Sequence, residues 1–331
     1  MPATQKEVED YEKGDIEGKL VRMRSALGPD VMAAFENDDI TELYANPHER
    51  NLRFDTHSEG KVVSDIPLRK GKIEQFLNVV ASWANVQPFG EKAPSLSTEL
   101  PSRVFHRSRL QGAVPPIVAA PSLVIRKPAT KMYSLPSYVE NDIMTEEQHE
   151  TIKRAVDRHF NILVVGGTGS GKTTLVNAVI EEITRQFPDE RLVILEDTRE
   201  IQCAASDRMQ LTTAGRAGVG LVDLVKQTLR LSPDRVLVGE CRDETALYMC
   251  DVWSTGHPGG ACTLHATTPE GALERLDNLA QRASKKSQAK LIGEAVDIIV
   301  HITGGNEGRN VESVTAVRGH SEGEYTLLEV A

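Results

Sequence analysis

Residues 162–173 read Ile-Leu-Val-Val-Gly-Gly-Thr-Gly-Ser-Gly-Lys-Thr. Four apolar residues, Ile162 to Val165, form a short buried-strand run that enters a glycine-rich loop, and the loop meets the pattern G-x-x-x-x-G-K-[ST] at Gly166, Gly171, Lys172 and Thr173. Beyond it, Leu175, Val176, Val179, Ile180, Ile183 and Phe187 recur near a period of 3.6, the signature of an amphipathic helix. Strand, loop and helix in that order predict a phosphate cradle. The glycines let successive N–H groups turn inward, and the helix start adds roughly half a positive charge directed at the same anion. Gly167, Thr168, Gly169, Ser170, Gly171, Lys172, Thr173 and Thr174 are therefore the candidate nucleotide-contacting set. Lys172 is expected at the β- and γ-phosphates, and the Thr173 hydroxyl on Mg²⁺. A nucleoside triphosphate, ATP in the first instance, is the expected ligand.

The rest of the chain sets bounds on what such a loop serves. At 331 residues, 40% hydrophobic and 26% charged, the sequence suggests two soluble domains, each able to bury a core. No apolar run approaches the length of a membrane span, and the first ten residues are polar and acidic, so neither a signal peptide nor a transmembrane helix is expected. Cys203, Cys241, Cys250 and Cys262 show no C-x-x-C spacing and read as reduced thiols of a cytoplasmic protein. The net charge of −10 argues against a protein that coats nucleic acid, so no stable direct nucleic-acid binding is expected. The charge is unevenly spread. Residues 101–139 contain no Asp or Glu but carry Arg103, Arg107, Arg109, Arg126, Lys127 and Lys131. Two readings stand: a solvated basic face, or a strip that meets an anion, the triphosphate being the obvious one.

Periodicity divides the chain. Up to about residue 130, a helix over 19–36, strands near 41–45, 52–56 and 61–63, a helix over 70–83, and strands over 103–111 and 122–126 predict a small α+β domain. The stretch 128–141, with its prolines and serines, reads as linker; the expected boundaries are 1–130, a linker at 131–144, and 145–331. Thr145 with Gln148 three residues on predicts a capping box. Strands at 162–165, 191–196, 235–239 and 261–264 then alternate with helices at 172–187, 221–230 and 243–254, which predicts an α/β domain with a parallel sheet. Helices near 269–279 and 286–294 lead into strands near 297–303, 311–317 and 325–329, suited to a mixed or antiparallel edge.

The downstream acids point to the reaction. Leu192-Val193-Ile194-Leu195 ends in Glu196-Asp197, with Glu200 close behind, and Val236-Leu237-Val238-Gly239 ends in Glu240. Ligands of open parallel sheets bind at the carboxyl ends of the strands, where such carboxylates orient water or hold a magnesium shell. Each acid taken singly also fits an ordinary strand-end charge. Residues 254–268 place Gly-His-Pro-Gly-Gly before a strand ending in Thr-Leu-His, so His257 and His265 read either as a γ-phosphate sensor or as turn chemistry plus a buried imidazole. No third ligand stands at a spacing suited to a metal site there.

Four segments, GGTGSGKTT (166–174), ILEDTREIQ (194–202), LRLSPDRVLVGECRD (229–243) and STGHPGGACTLHA (254–266), occur in the order Walker A, Asp box, Walker B, His box. As a set they resemble the secretion-ATPase family, which includes the hexameric traffic ATPases of type IV secretion and the pilus and type II secretion motors. RLQGAVPPIVAAPSLVIRK (109–127) extends the likeness toward the P-type conjugal transfer ATPases. The resemblance implies a RecA-like P-loop ATPase domain behind a smaller α+β, PAS-like N-terminal domain. It also implies a homo-hexamer with ATP between the two domains, Mg²⁺ as cofactor, and peripheral attachment to inner-membrane components of a conjugative apparatus. Carried over by position, Glu240 is the water-activating carboxylate, Glu196 and Glu200 belong to the Asp box, His265 to the sensor, and Arg109 and Arg126 approach the phosphates. Gly239 stands where most Walker B strands carry Asp, which passes the magnesium-side duty to Glu196 or Asp197. Ser232 stands where relatives often carry Arg, which leaves Arg230 or Arg235 for the neighbouring subunit's site; Thr267 replaces a common Asn. A RecA-like DNA translocase, a pilus or type II motor, and a scaffold without hydrolysis are the alternatives. The absence of paired C-x-x-C and of Pro after Glu196-Asp197 favours the type IV branch.

Overall fold

A computed structural model of the chain describes residues 5–67, 69–86, 89–128, 132–214, 217–305 and 308–331. The chain divides into two compact units, Met1–Thr130 and Lys131–Ala331.

The first unit holds α1 (Gln5–Leu27), α2 (Pro29–Glu36), β1 (Ile40–Ala45), β2 (Asn51–Thr56), β3 (Gly60–Pro67), α3 (Lys70–Trp83), β4 (Ser95–Glu99), α4 (Ser102–Phe105), β5 (Arg109–Ala113) and β6 (Ser122–Arg126). The strands form one antiparallel sheet in the order β3-β2-β1-β6-β5-β4. Helix α3 lies directly on it: a Cβ at Gly112 of β5 would stand 2.4 Å from Leu77 Cδ2. Phe35, Phe76 and Phe105 are fully buried, with Phe35 and Phe105 edge to face at 5.4 Å. The single helix expected over 19–36 is two, because Gly28 takes φ +83° and Pro29 starts a new helix. The strand expected over 103–111 begins only at Arg109; before it, Ser102–Phe105 is a helical turn, closed by a left-handed corner at His106 and Arg107.

The second unit holds α5 (Leu135–Glu140), α6 (Glu146–Asp157), β7 (Ile162–Gly166), α7 (Lys172–Gln186), β8 (Leu192–Glu196), β9 (Arg208–Thr212), α8 (Leu221–Thr228), β10 (Arg235–Glu240), α9 (Thr245–Ser254), β11 (Ala261–His265), α10 (Pro269–Ala280), α11 (Ala289–Ala295), β12 (Ile298–Gly305), β13 (Gly308–Ser321) and β14 (Glu324–Glu329). Within the expected linker 131–144, residue 131 lies outside the described residues and 135–140 is α5, whose Leu135 and Tyr138 are buried in the core. Both reciprocal hydrogen bonds of the Thr145–Gln148 capping box are made.

The sheet order is β14-β13-β12-β7-β11-β10-β8-β9, parallel from β12 to β9 and antiparallel at β13 and β14. Strands buried on both faces read as continuous apolar runs, and their alternate residues go to opposite layers. Leu163, Val165, Val193, Leu195, Val236 and Val238 pack with α8–α11. Ile162, Val164, Leu192, Ile194 and Leu237 pack with α5–α7. Strand β7 sits between β11 and β12, so the chain's later crossovers leave from its two sides. That is where an open α/β sheet has its crevice.

Candidate active site

The registers bring the motifs to one edge. His265 pairs with Gly166 across β11 and β7, Glu240 pairs with Thr263 across β10 and β11, and Val238 pairs with Leu195 across β10 and β8. The carboxyl ends of β7, β11, β10 and β8 therefore stand side by side, carrying the loop, His265, Glu240 and Glu196.

Within the loop, Gly167, Thr168 and Gly169 are exposed, whereas Ser170 and Lys172 are buried. Gly171 takes φ +96° as the residue before α7, a conformation that favours glycine. Gly166 is required for space: a Cβ there would stand 2.1 Å from the Ile302 carbonyl oxygen of β12. The Lys172 ammonium donates to the carbonyl oxygens of Gly166 (3.0 Å) and Gly167 (2.6 Å) and lies 3.3 Å from His265 Nδ1. Thr173 and Thr174 are half-buried in the first turn of α7.

His265 links the lysine to the acid. Its Nε2 is 3.4 Å from Glu240 Oε1. Nδ1 accepts from the lysine, so the geometry calls for the tautomer with the proton on Nε2. Burial first, and then the Lys172 charge, hold the imidazole below its usual pKa, which keeps it neutral at neutral pH. Burial acts to raise the Glu240 carboxyl, but the Arg242 guanidinium hydrogen-bonded to it, with His265 and Lys172, outweighs that and leaves it below the usual carboxylate range. Glu240 is ionised at neutral pH.

Glu196 differs. It is 2% exposed, and its Oε1 accepts from the N–H groups of Glu200 (2.8 Å) and Ile201 (2.7 Å), which folds the Asp-box loop around it. Asn177 of α7 holds the same loop, accepting from Gln202 N at 3.0 Å and donating to the Glu200 carbonyl at 3.4 Å. Burial pushes the Glu196 carboxyl up to about 7, against those two N–H bonds. Gly239 is explained by this neighbour: a Cβ there would stand 3.1 Å from Glu196 Cγ. The side chain of Glu196 crosses the position that Asp usually fills. Glu200 and Asp197 flank it, half-buried and exposed respectively.

The raised Glu196 pKa has a sign that can be tested. Below the ordinary glutamate value of 4.5, both folded and unfolded states hold the proton; between there and about 7 only the folded state does. This contribution to stability is therefore full below pH 4.5 and is lost as pH rises through 7. Glu196→Gln, which never ionises, is expected to gain up to about 3 kcal/mol relative to the parent between pH 5 and pH 8. Denaturant unfolding at the two pH values checks it. A difference that stays constant with pH refutes it.

Two expectations are corrected. His257 precedes β11 and His265 is its last residue, so the length of the strand, roughly 13 Å from its first residue to its last, separates them. Only His265 is at the loop edge. Arg235 begins β10, at the end of the sheet away from the loop, and is fully buried. Its Nε donates to Glu190 Oε2 (2.5 Å), it stacks 4.7 Å from the Phe187 ring, and its Nη1 donates to the Gly259 carbonyl (3.3 Å). Gly259 and Gly260 of the His-box turn leave room for Arg235 and for Trp253. Arg235 cannot reach another subunit; Arg230 is exposed. Arg235→Ala removes a fully buried guanidinium together with its ring stacking and carbonyl bonds and leaves half-buried Glu190 with only His159 at 2.6 Å. It is expected to cost about 3–5 kcal/mol, seen as a large fall in melting temperature, and a fall under about 1 kcal/mol would contradict this reading.

In the first unit, Arg109 and Arg126 are direct cross-strand neighbours, flanked in register by Glu99 and Glu42. Arg126 lies 3.4 Å from Glu42 Oε1. Arg103 pairs with Glu17 at 2.7 Å, and Lys127 donates to the Asn37 carbonyl at 2.7 Å, so part of the basic strip is answered locally. Lys131 lies outside the described residues. Arg242, Asn177 and Arg309 belong to the neighbourhood of the loop and were not singled out by motif; Arg242 alone had a signal, one residue past Cys241 in the run GECRD.

For Mg²⁺, the buried Oε2 of Glu196 makes no hydrogen bond among the described residues, and the Thr173 hydroxyl opens α7. A hard cation takes such oxygen donors. The residues fit the ion.

The family model described as "Type II/IV secretion system protein" matches residues 100–309. A probable conjugal transfer protein TrbB of Sinorhizobium fredii is 41% identical over 310 residues, covering 93% of each chain. The type IV secretion system protein VirB11 of Bartonella henselae is 30% identical over 262 residues, covering 67% of this chain and 71% of its own. The crystal structure of the pilus retraction motor PilT with bound ADP superposes with a TM-score of 0.63 at 15% identity, over 91% of this chain and 82% of that one, which shows a shared fold. With that family model spanning well over half of the sequence and the four motifs meeting on one sheet edge, the chain belongs to the Type II/IV secretion system protein family.

Proposed function

We propose that this chain hydrolyses ATP, with Mg²⁺, as one subunit of a homo-hexameric ring that powers a type IV conjugative apparatus. The observation that carries the reading is the row Lys172–His265–Glu240 along β7, β11 and β10. It sets a phosphate-binding cation, a neutral imidazole and an ionised carboxylate within reach of one another. Glu240 takes the proton of the attacking water, and His265, donating from Nε2, reports whether the γ-phosphate is present. Gly167 to Thr174 bind the phosphates. Thr173 and Glu196 hold the magnesium, which when bound neutralises charge on the β- and γ-phosphates. Glu200 keeps the Asp-box loop in place around Glu196. Arg109 and Arg126 of the first unit supply cations to the nucleotide, and exposed Arg230 is the remaining candidate for a neighbouring subunit's site. Relatives named for conjugal transfer and type IV secretion support the choice of apparatus.

Among the described residues no helix is long and apolar enough to cross a membrane. The ring is proposed to act in the cytoplasm, held peripherally at the inner face of the membrane by components of the apparatus.

Steady-state ATP hydrolysis per subunit, measured against protein concentration with and without single-stranded DNA, tests the proposal. Specific activity is expected to rise with concentration and to ignore DNA. Strong stimulation by DNA would favour a RecA-like translocase instead.

A further inference from the structure

Arg309 stands in no motif, yet it lies against the loop. It is the second residue of β13, and its Cδ and Nε both stand 3.1 Å from where a Cβ of Gly171 would be. Gly171 is thus constrained twice, by φ +96° and by the arginine beside it. The hairpin of β12 and β13 runs along the loop: Gly304 would bring a Cβ to 2.9 Å from Ser170 Cα, and Gly304 pairs in register with Arg309. The start of β13 is held firmly. Val311 donates its N–H to the Ile143 carbonyl (2.8 Å), and its own carbonyl accepts from the buried side chain of Gln148 (3.1 Å), the same glutamine that closes the α6 capping box. The Arg309 charge also acts against the burial that raises the Tyr138 phenol of α5.

We infer that Arg309 is a phosphate-binding residue of this site, contributed by the chain's own C-terminal hairpin and directed at the α- and β-phosphates of the nucleotide. The N–H groups from Gly171 onward line the anion side of such a loop, and an arginine fixed beside them on a hydrogen-bonded strand is pre-organised for a charge-assisted bond.

This inference rests on the nucleotide reading, and the test separates the two. Binding of fluorescent mant-ADP to the full chain is titrated for the parent, Arg309→Ala, Arg309→Lys and Lys172→Ala, with ADP and inorganic pyrophosphate as competitors. Arg309→Ala is expected to weaken ADP and pyrophosphate alike by about tenfold or more, with Arg309→Lys recovering part. The melting temperature without nucleotide stays that of the parent, since the side chain is exposed. Binding within twofold of the parent, while Lys172→Ala fails to bind, would make Arg309 a packing residue and overturn the inference. Loss of ADP affinity with pyrophosphate unaffected would also overturn it, since the arginine would then read the nucleoside. If Lys172→Ala binds as the parent does, the nucleotide reading falls and this inference with it.

Discussion

Lys172→Ala is expected to lose ATP hydrolysis by a factor on the order of 10²–10³ or more and to lose nucleotide affinity with it. In the free protein the ammonium is spent on two loop carbonyls, those of Gly166 and Gly167, and on His265 Nδ1. A triphosphate in the cradle competes for the same ammonium with far more charge, so the lysine exchanges neutral acceptors for anionic ones, and the bonds strengthen as it does. Alanine removes the cation and leaves the loop's shape to its glycines. The Gly167 carbonyl belongs to an exposed stretch, 167–169, where water replaces the lost donor, whereas the Gly166 carbonyl is buried, so unliganded stability is expected to fall by about 1–3 kcal/mol. Thermal unfolding separates the effects: Mg-ATP at a hundred times its dissociation constant raises the parent's stability by about 2.7 kcal/mol, and raises that of the variant not at all. Hydrolysis within tenfold of the parent would remove Lys172 from the chemistry.

Much of this architecture was legible because burial on both faces writes itself as uninterrupted apolar runs. Ile162–Val165, Leu192–Leu195 and Val236–Val238 could only be central strands, and the acids or glycines that follow each run mark its carboxyl end. What was missed lies where burial is partial. The edge strands β4 (SLSTE) and β9 (RMQLT) mix polar and apolar residues because one side meets water, and no run stands out. The expected strand at 103–111 failed at His106 and Arg107, whose left-handed backbone no periodicity signals. Position along the chain also misled at the His box. His257 and His265 sit eight residues apart in one motif, yet a strand carries them to opposite ends of the sheet. Likewise Arg235 reads as a spare surface cation until Glu190, forty-five residues earlier, is found against it. Arg309 was invisible for the same reason: its relation to Gly171 exists only across the β12–β13 hairpin.

Glu240→Gln is expected to lower kcat by about 10²–10⁴ while leaving mant-ADP affinity within a few-fold of the parent. The argument turns on two carboxylates with opposite environments on neighbouring strands. Arg242, His265 and Lys172 keep Glu240 charged, whereas burial keeps Glu196 half-protonated near pH 7. A base must be ionised when it works, and Glu240 alone meets that condition across the physiological range. The amide keeps its size and its bond from Arg242 but takes no proton. The two acids then divide the pH dependence. Since kcat/KM reports groups of the free enzyme, its acid limb is expected near pH 7, where Glu196 must lose its proton before its carboxylate serves the magnesium. Glu240, held low, contributes no limb above about pH 4.5. Glu240→Gln should therefore keep the limb near 7 at much reduced height, and Glu196→Gln should abolish the limb itself. Interchanged behaviour, with the limb following Glu240, would reverse the two roles. A Glu240→Gln chain that hydrolyses ATP within tenfold of the parent would take the general base away from β10 altogether.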